Sequence, residues 1–208
     1  MFKKRNFIHT YIIDNKVFIL LFILMLLIGC ILGVIIAKCI SQVDMDEILN
    51  YIKSTNTLIV KGEYEASNYE ILKSTVSKVL VYFTVIIVLG CSIFFSTLIY
   101  LVPLYKGLSI GISVSLLLML LGKIKGNIYV LIGMFLPNVI LIIGLIVVSI
   151  MWIKFGKNIL KKRDLYGIKQ KICGNIIKTA VVLFLELIVL IPVEILSNRM
   201  LVEYIKII

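Results

Sequence analysis

Five long apolar segments constrain the fold of this 208-residue chain more than any other feature. About 20 apolar residues in a helix, at 1.5 Å rise per residue, cross the roughly 30 Å hydrocarbon core of a bilayer. The runs cover residues 17–37, 79–101, 104–121, 128–153 and 176–196. The sequence therefore predicts an all-α fold, a single polytopic membrane domain over residues 1–208 with about five transmembrane helices.

The composition agrees with lipid as the solvent of this chain. Charged residues make up 16% of the sequence, whereas soluble domains contain about 25%. The net charge of +11 is concentrated in short segments beside the apolar runs. Such clusters are typical of contact with anionic lipid headgroups, and no basic face with interleaved aromatic residues accompanies them. We therefore expect membrane lipid as a partner and no nucleic acid.

The basic clusters also predict the orientation of the chain. Residues 1–16 and the connection 154–175 are both rich in Lys and Arg, and four apolar runs lie between them. Cytoplasmic loops carry an excess of cations, so both segments are expected inside, with the N-terminus inside and the C-terminus outside. The short connection that holds Lys106 would also be cytoplasmic. Leu27–Cys30 resembles a lipoprotein cleavage site, but the following residues stay apolar, which favours a retained helix.

In this topology residues 38–78 form an extracytoplasmic loop. Its apolar residues at 45, 48, 49 and 52 have the spacing of an amphipathic helix, and Ser41 and Ser67 each begin a capping-box pattern. The sequence predicts a short helix, a turn region at 54–66, and a helix that enters the second span. The loop either lies on the headgroups or docks an extracytoplasmic partner, and both interpretations stay open. The candidate docking residues are Asp44, Asp46, Glu47, Glu63, Glu65 and Glu70.

No catalytic centre is predicted. Residues 107–111 match the GxSxG pattern of serine hydrolases, which needs a base beside the serine, and the chain has a single histidine, His9. One histidine also excludes the usual intramembrane zinc proteases, and no nucleotide-binding fingerprint or CxxC pair occurs. We therefore expect no enzyme activity, no metal and no cofactor.

Small residues at four-residue spacing predict close helix packing instead. The third run carries such a stripe, and the first run carries a GxxxG pair. These patterns support a compact bundle and self-association into a homo-oligomer equally well. The predicted packing residues are Gly29, Gly33, Gly107, Gly111 and Ser115.

Three polar residues and one proline interrupt the last two apolar runs. Pro137 opposes the carbonyl of Gly133, and the Asn138 amide is placed to satisfy backbone groups opened by the resulting kink. A fixed bend is favoured over part of a conduit. Glu186 and Glu194 are costly within a bilayer and are expected to point into the bundle. Structural hydrogen bonding is favoured over a proton or substrate pathway.

Several short motifs in residues 80–200 have the order and spacing of a known family. They comprise LYKGLSIGISVSLLL at 104–118, Gly126, Leu-Pro-Asn at 136–138, the basic stretch after the fourth run, and Glu194. In these features the chain resembles the stage II sporulation protein M family. The family often has Leu-Pro-Gln-Asn where this chain has Leu-Pro-Asn. The first third of the chain is similar only in layout, with one span followed by an external loop.

The resemblance implies a non-enzymatic scaffold in the mother-cell membrane of an endospore-forming bacterium. Such a scaffold holds cell-wall hydrolases of the stage II sporulation D and P types at the septal membrane during engulfment. The alternative is the membrane subunit of an ATP-driven or proton-coupled transporter. That alternative would use the two intramembrane glutamates, the kinked fourth helix, and residues 154–175 as a coupling segment for an ATPase.

Overall fold

The computed structural model of the protein describes residues 7–61, 67–92, 95–162 and 168–207. In these residues the chain forms helices and no strand. Five stretches are long and apolar enough to cross a membrane, which confirms the predicted all-α bundle with five candidate spans. The helices are α1 (Phe7–Lys38), α2 (Gln42–Val60), α3 (Asn68–Cys91), a 3-10 helix (Phe95–Tyr100), α4 (Leu101–Leu121), α5 (Lys123–Val130), a π-helical segment (Leu131–Phe135), α6 (Leu136–Lys162) and α7 (Ile168–Ile207).

The second span lies closer to the N-terminus than the apolar pattern indicates. Helix α3 begins at Asn68 because Ser67 and Glu70 form a reciprocal capping box, and it ends at Cys91. Helix α4 begins at Leu101, with Pro103 in its first turn, where a proline is tolerated. As a result Lys106 lies within α4 and not in a cytoplasmic connection, which corrects its predicted place.

The connections are more helical than the sequence suggests. Helix α2 continues to Val60 through most of the predicted turn region, and the hydroxyls of Ser54, Thr55 and Thr57 donate to backbone carbonyls one turn earlier within it. Ser and Thr clusters favour turns in isolation, which explains the difference. Likewise α6 and α7 extend into the predicted basic loop 154–175, and residues 163–167 between them lie outside the described part.

Helices α1 and α4 pack closely side by side through their glycines. Gly29 lies against the backbone of Leu104 and Leu108. Gly33 lies against the backbone of Leu108, Gly111 and Ile112. At these contacts the residue numbers of α1 and α4 increase in the same direction, so the two helices run in parallel. This is the orientation expected for the first and third spans of a five-span chain. Between lipid-facing helices the attraction comes mainly from such close contact and not from hydrophobic burial.

The hydrophobic core includes residues of all five candidate spans, most of them from α3 and α6. Helix α6 packs against both α3 and α7, which also contact each other, and it buries Trp152, whose Nε1 donates to the Thr179 hydroxyl at 3.0 Å. Gly90 of α3 leaves the space that the indole ring occupies, since a Cβ there would lie 2.6 Å from the ring. Trp152 meets Thr179, while Gly144 meets Glu186. The later residue of α6 thus contacts the earlier residue of α7, so α6 and α7 are antiparallel.

Candidate functional site

A polar cavity of about 360 Å³ lies between α3, α4, the start of α6 and α7. Its polar lining comes from four different candidate spans, so the site exists only when the bundle is assembled. The polar lining residues are Thr75, Lys78, Tyr82, Lys106, Ser109, Ser113, Asn138 and Glu194. Such concentration of polar groups among apolar helices is the most unusual feature of the described structure.

Glu194 joins α7 to α3 at this cavity. The Thr75 hydroxyl donates its single hydrogen to Glu194 Oε2, and its oxygen also lies 2.8 Å from the Ile71 carbonyl oxygen, one turn earlier on α3. Lys78 follows Thr75 by one turn on α3, and its Nζ lies 3.7 Å from Glu194 Oε1. Of the two glutamates selected from the sequence, Glu194 therefore has both a hydroxyl donor and a cationic partner.

Lys106 brings a second positive charge to the cavity. It lies near the middle of the apolar span Phe95–Met119, and its ammonium group is 5.4 Å from the centre of the Tyr82 ring. The face of an aromatic ring attracts a cation, so Tyr82 partly replaces the water that the ammonium group loses. Two lysines and one glutamate give the cavity a formal charge of +1.

The proline motif forms one wall of the cavity. The π-helical segment Leu131–Phe135 directly precedes Pro137, and the Asn138 side-chain amide donates to the Met134 carbonyl at 2.7 Å. A proline cannot donate to the carbonyl four residues back, here that of Gly133, and a wider π turn commonly occurs at such an interruption. The local irregularity thus sets Gly133, Met134, Pro137 and Asn138 against the cavity.

Helix α4 presents two different faces. Gly107 and Gly111 contact the backbone of α1 at Leu26 and Cys30, as close packing requires. Ser109, the serine of the GxSxG pattern, lines the cavity instead. In the described part of the chain, no group of three or more His, Cys, Asp or Glu residues is placed to hold a metal ion.

Glu186 lies outside this cavity, within the contact between α6 and α7. Its side chain is 6% exposed and is packed against Gly144, where an added Cβ would collide with the carboxyl group. Within the described ranges neither carboxyl oxygen has a hydrogen-bond partner. Glu186 and Glu194 therefore both point into the bundle but occupy separate environments.

The predicted docking residues lie apart from the cavity, on and after α2. Asp44, Asp46 and Glu47 are exposed on α2, although Asp44 also accepts a hydrogen bond from the Ser41 hydroxyl. Glu70 is exposed and completes the cap of α3. Glu63 and Glu65 lie outside the described residues.

Thr75 and Lys78, which meet Glu194, were not selected from the sequence as site residues, and neither was Lys106, the second cation of the cavity. Lys78 and Lys106 were assigned to connections because each falls at the edge of an apolar run. The available signal was the periodicity of the extended helices: Thr75, Lys78 and Tyr82 recur at i, i+3 and i+7, and Lys106, Ser109 and Ser113 repeat the same spacing. Each set therefore follows one face of its helix.

Comparison with known protein families gives no match for this chain. No curated protein and no solved structure matches it either. The resemblance to the stage II sporulation protein M family accordingly stays a prediction from short motifs, while the five-span helical fold stands on the structure itself.

Proposed function

We propose that this protein is a non-enzymatic membrane scaffold that docks a partner through helix α2, outside the cytoplasm. By its resemblance to the stage II sporulation protein M family, the partners are cell-wall hydrolases of the stage II sporulation D and P types. The scaffold would hold them at the septal membrane of an endospore-forming bacterium. The single observation that supports this proposal best is the placement of α2.

Helix α2 is not one of the five apolar spans, yet it is held against the bundle through contacts with α7. Its residues Met45, Ile48 and Ile59 are buried or half-buried, while Glu47 and Tyr51 are exposed. Tyr51 is 74% exposed. A tyrosine beside acidic groups is typical of a protein-binding surface, and such a surface favours a partner with basic residues.

Helix α7 is long enough to support α2 beyond the bilayer. Its 40 residues extend about 60 Å, roughly twice the hydrocarbon thickness, so the helix projects beyond the bilayer. The Glu194 contacts with Thr75 and Lys78 fix α7 to α3. A projecting helix that is anchored within the bundle presents α2 in a defined position, which a docking scaffold requires.

The experiment is affinity purification of the full chain from sporulating cells in mild detergent. We expect wall hydrolases of the two named types to be recovered with the native chain and lost with Glu47→Lys and Tyr51→Ala. Asp14→Lys is the matched control, because it makes the same charge change at an exposed position about 36 Å along α1 from Lys38. Recovery of hydrolases that is equal in all variants, or absent from the native chain, would overturn the docking proposal.

The polar cavity favours a second candidate, the membrane subunit of an ATP-driven or proton-coupled transporter. A cavity lined by polar groups from four spans, three of which contribute a charged side chain, is the arrangement that a transported polar solute or ion needs. In that case an ATPase would be recovered instead of wall hydrolases. Glu194→Gln, which removes the acidic group of the cavity, would then abolish proton-coupled flux in vesicles, whereas a scaffold with this change would keep its partners.

A further inference from the structure

We propose that the cavity between α3, α4, α6 and α7 binds a phosphate group with one negative charge, held chiefly by Lys106. This inference goes beyond docking at α2 and does not depend on it, because no residue of α2 lines the cavity. The phosphate belongs either to a phospholipid headgroup or to a soluble phosphate compound. Both sources offer the same oxyanion to the site.

The charges at the cavity call for an anion. Lys78 is paired with Glu194 at 3.7 Å, which leaves the second lysine in excess. Around Lys106 the described residues provide the Tyr82 ring, but no carboxylate forms a salt bridge with its ammonium group. An ammonium group without a salt-bridge partner of its own is costly within a transmembrane segment, and one bound monoanion would neutralise the net charge of the cluster.

The donors on α4 are arranged for an oxyanion with several oxygens. Lys106, Ser109 and Ser113 all line the cavity, and their spacing of three and four residues places them along one face of the helix. They extend over about 10 Å of the helix axis, so a phosphate at Lys106 also reaches Ser109, while Ser113 faces the substituent of that phosphate. Lysine is a common phosphate ligand, and serine hydroxyls bind phosphate oxygens as hydrogen-bond donors.

The size of the cavity fits a group larger than a simple ion. A volume of about 360 Å³ is far larger than the ~10–15 Å³ that one water molecule needs on the same measure. It also lies within the range of small-molecule pockets. A phosphate that carries a glycerol or a similar substituent therefore has room beside the lysine, whereas a halide would leave most of the space to water.

The test uses the full chain purified in maltoside detergent and in phosphate-free buffer. Native mass spectrometry measures retention of phosphatidylglycerol against diacylglycerol, which has the same acyl chains and no phosphate, and equilibrium dialysis measures binding of inorganic phosphate. We expect at least one probe to bind, and Lys106→Met to weaken it about tenfold or more, since a charged hydrogen bond is lost. Lys106→Arg keeps the charge and should retain most of the binding. Lys73→Met is the control, because Lys73 is exposed on α3 away from the cavity.

A second variant separates loss of charge from loss of folding. Glu194→Gln raises the formal charge of the cluster from +1 to +2 and should tighten binding of the same probe severalfold, which a misfolded protein cannot do. Retention of phosphatidylglycerol identifies a lipid site, and binding of phosphate without lipid retention identifies a soluble ligand. No binding of either probe, equal binding by the native chain and Lys106→Met, or no gain in Glu194→Gln would overturn the proposal.

Discussion

Thr75 of α3 donates its hydroxyl hydrogen to the carboxylate of Glu194 on α7, across a sequence separation of 119 residues. This contact lies at the polar cavity and joins the second candidate span to the fifth. Between membrane helices such polar contacts contribute modestly to association. They also determine which faces of the helices meet, so Thr75 and Glu194 specify the arrangement of the bundle.

Thr75→Val should lower the stability of the bundle by about 1 kcal/mol, since a buried hydrogen bond to a charged acceptor is lost. Lys78→Met should cost less, because the ion pair is long at 3.7 Å and an apolar side chain replaces a lysine that is costly within the span. Thermal unfolding in detergent measures both effects. Thr84→Val makes the same change at an exposed position of α3 and should have little effect. Equal losses in Thr75→Val and Thr84→Val would contradict the assigned contact.

The contact between α1 and α4 should be sensitive to single methyl groups. Gly29→Ala or Gly107→Ala places a Cβ against the backbone of the facing helix, and overpacking of this kind costs about 1–3 kcal/mol. Gly174→Ala is the control, since nothing lies within 4 Å of a Cβ there. In a helix that change should be neutral or slightly stabilising. Unfolding midpoints that are lower for Gly174→Ala than for Gly29→Ala would refute the close packing.

Glu186 and Gly144 should be energetically coupled. Gly144→Ala introduces a Cβ where the Glu186 carboxyl group lies, so it should destabilise the native chain by about 1–3 kcal/mol. In a Glu186→Ala background the same change should cost much less, because the carboxyl group is gone. A double-mutant cycle of unfolding free energies measures the coupling directly. Additive effects of the two changes would mean that the side chains do not meet.

The native cysteines test the orientation. Cys39 and Cys173 are both exposed, and the predicted topology places Cys39 outside and Cys173 inside. In intact cells, a membrane-impermeant maleimide should label a variant that keeps only Cys39. A variant that keeps only Cys173 should be labelled only after permeabilisation. Labelling of both variants in intact cells would place the 38–78 segment and the basic 154–171 segment in one compartment. That result would contradict the docking proposal.

Much of the fold follows from the sequence because lipid imposes strict local requirements. A run of 20 apolar residues has few stable places other than a bilayer, and its backbone must then be helical. For this reason the sequence predicts the five spans. Their observed ends differ from the predicted ones near local boundary signals, such as the Ser67 cap of α3 and Pro103 in the first turn of α4. Polar residues within the last two runs, including Asn138 and Glu194, were likewise visible as expensive exceptions.

The sequence by itself determined that this chain forms five apolar helices with costly polar groups among them. Only the tertiary structure decided which of those groups meet. The contacts of Glu194 with Thr75 and Lys78, and the position of Lys106 beside Tyr82, depend on the rotation and depth of each helix. Those quantities are set by packing between residues that lie 24 to 119 positions apart in the sequence, and no local pattern encodes them.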